Sequence, residues 1–168
     1  MLDYSNFMKT SSKLSEHMEN YLKAILVLAE EQGVVRVKDI SSVMHVKMSS
    51  VTAALGALSK SGYVKHESYG YVQLTPKGHE MARDVHKRHH MLLRFLRDVL
   101  DIDPQTAEKD ACGMEHSISA HALKKLERFV GFMEIDPKGQ IRNCLAQFRE
   151  YSSSGKRISC ERCAPRKE

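Results

Sequence analysis

Residues 49–76, SSVTAALGALSKSGYVKHESYGYVQLTP, decide the fold. Over 49–61 the apolar residues Val51, Leu55 and Leu58 recur at helical spacing and define an inward face. Ser49, Ser50, Thr52, Ala53, Gly56 and Lys60 point the other way. That outer face is built from small hydroxyl, methyl and glycine positions. A helix seated in the major groove needs such slimness, with short hydroxyls for phosphates and base edges. An Ala/Ser-rich surface helix would carry the same pattern, so the order of elements has to decide. Ser61-Gly62-Tyr63 stops the helix, and 63–67 and 71–74 are β-type runs on either side of the tight turn Ser68-Tyr69-Gly70. Thr75-Pro76 opens the next helix, with Thr75 as N-cap and Pro76 at its first position.

Upstream, Ser15 caps a helix predicted over 17–31, with Met18, Tyr21, Leu22, Ile25, Leu26 and Ala29 on one apolar face and Gly33 at its end. A short helix over 38–44 follows, Ile40 and Val43 inward, then a turn at His45-Val46-Lys47. Three helices followed by a hairpin make a winged helix-turn-helix, in which the third helix reads the groove and the wing reaches the backbone. Downstream, a long helix is predicted over 76–100, with Ala82, Val85, Leu92, Leu93, Leu96 and Val99 inward, until Asp101-Ile-Asp-Pro104 breaks it. Further helices are expected over 105–114 (continuing or re-forming through His116), 120–133 and 138–151, the last with Cys144 packed inside. The fold class is therefore mainly α: a winged helix-turn-helix DNA-binding domain over 15–75 and an all-helical domain over 76–151. A mobile segment, 1–14, and a disordered tail, 152–168, flank them.

The 168 residues carry a net charge of +5, which tilts toward an acidic partner such as nucleic acid. No apolar run approaches the length of a membrane span, and the first fifteen residues lack the core of a signal peptide, so a cytoplasmic protein is expected. Cys112, Cys144, Cys160 and Cys163 are then thiols or metal ligands and not a disulfide framework. Cys160-Glu-Arg-Cys163 is half a zinc-knuckle pattern, open to three readings: two flexible thiols, a site shared across a dimer, or a redox pair.

The sharpest chemical signal is Cys112-Gly-Met-Glu115-His116. Positions i, i+3 and i+4 share a helix face, so thiolate, carboxylate and imidazole can converge there. Such a mixed set suits a borderline-soft first-row metal ion, although a buried cysteine beside a surface Glu-His pair would look the same. His89, four residues after Val85 on the apolar face of the long helix, can join Glu115 and His116 or serve as a satisfied core histidine. His86 and His90 fall on the solvent side by phase.

Met18-Glu-Asn-Tyr-Leu, Val37-Lys-Asp-Ile, Ser49-Ser-Val-Thr, Gly62-Tyr-Val, Leu74-Thr-Pro-Lys-Gly, Arg88-His-His and Glu115-His116 occur in this order across two thirds of the chain. In them the sequence resembles the diphtheria toxin repressor and manganese transport regulator family. The resemblance implies a dimeric repressor in which Fe(II) or Mn(II) fixes the spacing of two recognition helices on operator DNA, controlling metal-uptake or homeostasis genes. It places core ligands on Asn20, Cys112, Glu115 and His116, with His89 in an adjacent site. It places DNA contacts on Lys47, Ser49, Ser50 and Thr52, with the wing around His66 and Tyr69 near the backbone. The third, SH3-like domain of iron-type members is expected to be absent.

Three positions depart from the family pattern. Asn20 stands where iron-type members have Met and manganese-type members Asp, and its amide oxygen brings no charge. Lys23 replaces a ligating Glu of the manganese type, and an ammonium cannot ligate. Leu93 replaces a Glu that iron-type members give to a second site, leaving Glu108 as its possible repair. Cys112 follows the iron-type pattern, and a thiolate favours Fe(II) over Mn(II). Two other functions compete. One is a winged-helix regulator of an organic ligand or redox state, its Cys-Glu-His cluster structural. The other is a metal-dependent hydrolase, disfavoured because no nucleophile–base pair emerges apart from the same cluster.

Overall fold

The structure is a computed structural model and describes residues 14–66, 70–135 and 139–155. The expected mobile segment, the wing tip with Tyr69, and the tail pair Cys160 and Cys163 lie outside the described residues, apart from Leu14 and 152–155. The chain divides into two compact units, Met1–Lys87 and Arg88–Glu168.

In the first unit, α1 (Glu16–Gln32) starts where Ser15 accepts a hydrogen bond from the Met18 amide, and ends at Gly33, whose φ of 75° suits a residue without Cβ. α2 (Val37–Met44) and α3 (Met48–Lys60) are separated by His45 in the left-handed region, with φ 53°. β2 (Val64–His66) and β3 (Tyr71–Leu74) form the expected hairpin. A strand not foreseen from the sequence, β1 (Val35–Arg36), joins it to give a sheet of order β1-β3-β2, with Val35 opposite Val72 and Arg36 opposite Tyr71. Tyr21, Leu22 and Ile25 of α1, Ile40 of α2, and Val51, Leu55 and Leu58 of α3 are buried in one core with Val35, Tyr63, Val64, Val72 and Ala82. Each buried leucine, isoleucine or valine among them contributes about 1.5–3 kcal/mol. Val43, expected inward, is 54% exposed; the inward stripe of α2 is Val37, Ile40 and Met44 instead.

The start of α4 (Pro76–Arg94) is pinned to the wing. The Thr75 hydroxyl donates to the Gly62 carbonyl at 2.7 Å and accepts from the Gly78 amide at 3.1 Å. Gly78 lies so close to the Tyr63 carbonyl that a Cβ there would fall 1.9 Å from its oxygen. Lys77 donates to the Ser61 carbonyl and places its ammonium 4.1 Å from the centre of the Tyr63 ring.

In the second unit, the helix expected to run unbroken to residue 100 changes character, with a π-helical turn over Phe95–Val99. Asp101, with φ 60°, ends it. Asp103 caps α5 (Pro104–Met114) by accepting from the Thr106 amide at 3.0 Å, and hydrogen bonds from Thr106 hold its carboxyl below the ordinary carboxylate range. Ser119 caps α6 (Ala120–Glu134) in the same way. Leu92, Leu96, Ala107 and Ala111 form the buried core here, with Leu93, Phe95, Leu100, Ile102, Ile118 and Leu126 packed against it. α7 (Gln140–Ser154) buries none of its residues, and Cys144, expected inside, is exposed.

Candidate metal centre and nucleic-acid interface

His89 is delivered by helical phase. It follows Val85 by four residues and precedes Leu92 by three, so the buried stripe of α4 carries the imidazole inward with it. On α5 and its C-cap, Glu108, Ala111, Cys112 and Glu115 share a face, with Ala111 fully buried. The two helices bring four side chains together. His89 Nδ1 stands 2.8 Å from Glu115 Oε2, and His89 Nε2 stands 2.9 Å from Glu108 Oε1. His116 Nε2 lies 3.3 Å from the other Glu115 oxygen. Glu115 is fully buried, the His116 side chain 4% exposed and that of His89 10%, whereas Glu108 remains 61% exposed.

A carboxylate at zero exposure is costly unless cations, hydrogen bonds or a metal compensate it. Here two imidazoles bracket it. Carboxylate oxygens and imidazole nitrogens, with a half-buried thiol at Cys112 on the same helix, are donors that a first-row divalent ion accepts. The donor chemistry fits such an ion. Among the described residues, no three His, Cys, Asp or Glu side chains are gathered into a ready coordination shell; the donors pair with one another instead. Leu93 packs into the core of the second unit, so its departure from the family pattern has an apolar role. Asn20 and Lys23 lie half-buried on α1 in the first unit.

On the nucleic-acid side, Lys47 is the exposed N-cap residue of α3, and Ser49, Ser50 and Thr52 are exposed along its first turns. The Thr52 hydroxyl donates to the Met48 carbonyl at 2.9 Å, which leaves its oxygen lone pairs outward as acceptors. His66 closes β2 opposite Val72. One neighbouring residue escaped the sequence reading. Arg36, in a strand two residues long, has no periodicity to mark it.

Residues 13–79 match the family described as iron dependent repressor, N-terminal DNA binding domain, and residues 75–142 match iron dependent repressor, metal binding and dimerisation domain. The HTH-type transcriptional regulator MntR of Lysinibacillus sphaericus (strain C3-41) is 34% identical over 120 residues, 71% of this chain and 86% of the relative. The regulator of that name from Bacillus pumilus (strain SAFR-032) is 36% identical over 117 residues, covering 70% and 81%. Among solved structures, a manganese-dependent transcriptional repressor in complex with manganese superposes with a TM-score of 0.62 at 28% identity, over 68% of this chain and 53% of that one. The manganese regulator SloR gives 0.62 at 25% identity, over 68% and 54%. The chain thus covers most of its MntR relatives and about half the length of these two structures. These relatives are transcriptional regulators and not enzymes, and manganese is named among them beside iron. Among the described residues, no helix is long and apolar enough to cross a membrane. The chain belongs to the iron-dependent repressor family of metal-dependent transcriptional regulators, with a DNA-binding domain followed by a metal-binding and dimerisation domain.

Proposed function

We propose that this chain represses metal-uptake or homeostasis genes in the cytoplasm, as a homodimer whose hold on operator DNA is switched by a divalent metal, Fe(II) in preference to Mn(II). The observation that carries the proposal is the fully buried Glu115 carboxylate bracketed by His89 and His116. Cys112, Glu115 and His116 would hold the core ion, and His89 with Glu108 an adjacent one. Bound there, the metal supplies a positive charge that compensates the buried carboxylate and ties donors from different helices together. Ligation would use the Cys112 thiolate, a ring nitrogen of His116 and the Glu115 carboxylate, so metal loading would release protons and weaken as pH falls. The preference for Fe(II) rests on Cys112, since a soft thiolate discriminates against Mn(II) more than a carboxylate does. The manganese named among the relatives weighs the other way.

Lys47, Ser49, Ser50 and Thr52 would meet the DNA, with His66 and Tyr69 of the wing on the backbone. Anaerobic Co(II) loading tests the site. A thiolate-to-metal charge-transfer band should appear and vanish in Cys112→Ser. A band that survives in that variant with Cys160 and Cys163 also replaced by Ser removes Cys112 from the site, and with it the reason for preferring iron.

A further inference from the structure

We infer that Arg36 and Tyr71 form a phosphate clamp at the base of the wing, a DNA-backbone contact separate from the recognition helix. The inference rests on the DNA-binding reading of the first unit. Arg36 pairs with Tyr71, the first residue of β3 after the wing turn, so β1 holds the guanidinium at the tip end of the sheet. Its Nη2 donates to the Tyr71 hydroxyl at 3.4 Å, and its guanidinium carbon lies 5.4 Å from the centre of that ring. The same residue is the N-cap position of α2, where its backbone amide donates to Asp39 at 3.0 Å. The first helix of a helix-turn-helix crosses the backbone beside the groove its partner enters. An exposed arginine at that end, next to the wing, is placed for the same strand of phosphates.

The contact with Tyr71 takes up part of the guanidinium and restricts its motion. It leaves the other donors of the fork for a bidentate phosphate contact. Asp39 is the nearby acid, and the Arg36 amide already engages its carboxylate. Lys65, exposed and opposite Gln73 on β2, adds positive charge to the same sheet.

The test is fluorescence anisotropy of the full, Mn(II)-loaded chain on a short mixed-sequence duplex across a salt series. Backbone contacts do not depend on sequence, so no operator is needed. Arg36→Gln should weaken binding several-fold and flatten the slope of log affinity against log salt by roughly one unit per protomer, the signature of one lost phosphate contact. Arg36→Lys should keep the slope but bind less tightly, and Tyr71→Phe should weaken binding with the slope nearly intact. Should Arg36→Gln fail to fold, the other two variants decide, and wild-type affinity in both overturns the clamp. An unchanged slope in a folded Arg36→Gln also overturns it, leaving the pair as a sheet contact. No binding by the wild-type chain overturns the DNA-binding reading, and the clamp falls with it.

Discussion

The imidazole of His89 and the carboxylate of Glu115 meet at 2.8 Å in the interior of the second unit, although 26 positions separate them in the sequence. The same ring reaches Glu108 through its other nitrogen. One histidine on α4 therefore faces two carboxylates, one on α5 and one at its C-cap, and the more buried of these also faces His116. A solvated face or an ordinary apolar core has no use for this arrangement. A buried metal site of mixed oxygen and nitrogen donors does.

Replacing Glu115 by Gln keeps the shape and removes the charge. The variant should fold, because burying a neutral amide costs less than burying a carboxylate. Its affinity for Mn(II) by calorimetry should fall more than about tenfold, the loss typical even of a metal site's supporting groups. Unchanged affinity would mean that Glu115 is a structural ion-pair partner only.

Cys112→Glu exchanges a soft donor for a hard one. The ratio of Fe(II) to Mn(II) concentrations needed for half-maximal DNA binding should move toward manganese by about tenfold, equivalent to about 1.4 kcal/mol. An unmoved ratio would show that the thiol takes no part in metal choice.

Gly78→Ala should be among the most destabilising single-methyl changes in the chain. The added Cβ would fall 1.9 Å from a backbone oxygen of Tyr63, which cannot move aside without disturbing the wing. A loss of about 1–3 kcal/mol is expected in urea melts, whereas Gly56→Ala on the open face of α3 should be neutral or slightly stabilising.

Tyr21 is fully buried, and its hydroxyl finds no hydrogen-bond partner among the described residues. Burial raises its pKa above the ordinary value of 10.0. The folded chain then holds this proton more tightly than the unfolded one. The associated stability is complete below the unfolded value and is lost as pH rises toward the folded one. Tyr21→Phe should leave stability at neutral pH nearly unchanged and should flatten the decline above pH 10.0 in denaturant melts. An identical alkaline decline in both proteins would rule out this tyrosine as its source.

Much of this was legible in the sequence because it is local. Ser15, Gly33, Thr75-Pro76 and Asp103-Pro104 mark helix ends through hydrogen bonds within a few residues, and the stripes Tyr21–Ile25 and Val51–Leu58 follow one period. β1 was not legible, because two residues carry no alternation and pair with a strand more than thirty positions away. The π-helical turn at Phe95–Val99 was also missed, since its apolar residues still satisfy an α-helical stripe. Val43 misled because an eight-residue helix offers two plausible faces, and the sheet and α1 chose the other. The site was half legible. Spacing joined Glu115 to His116 and phase turned His89 inward, but only the folded α4 and α5 show that His89 bridges Glu108 and Glu115.

Metal gating of DNA binding is tested most directly by the dissociation constant of the full chain for a duplex carrying its own operator, measured anaerobically with saturating Fe(II) or Mn(II) and again after chelation. Chelation should raise this constant at least tenfold, a coupling of about 1.4 kcal/mol or more, and the Glu115→Gln variant should need more metal to reach the same shift. Equal affinity with and without metal would contradict it.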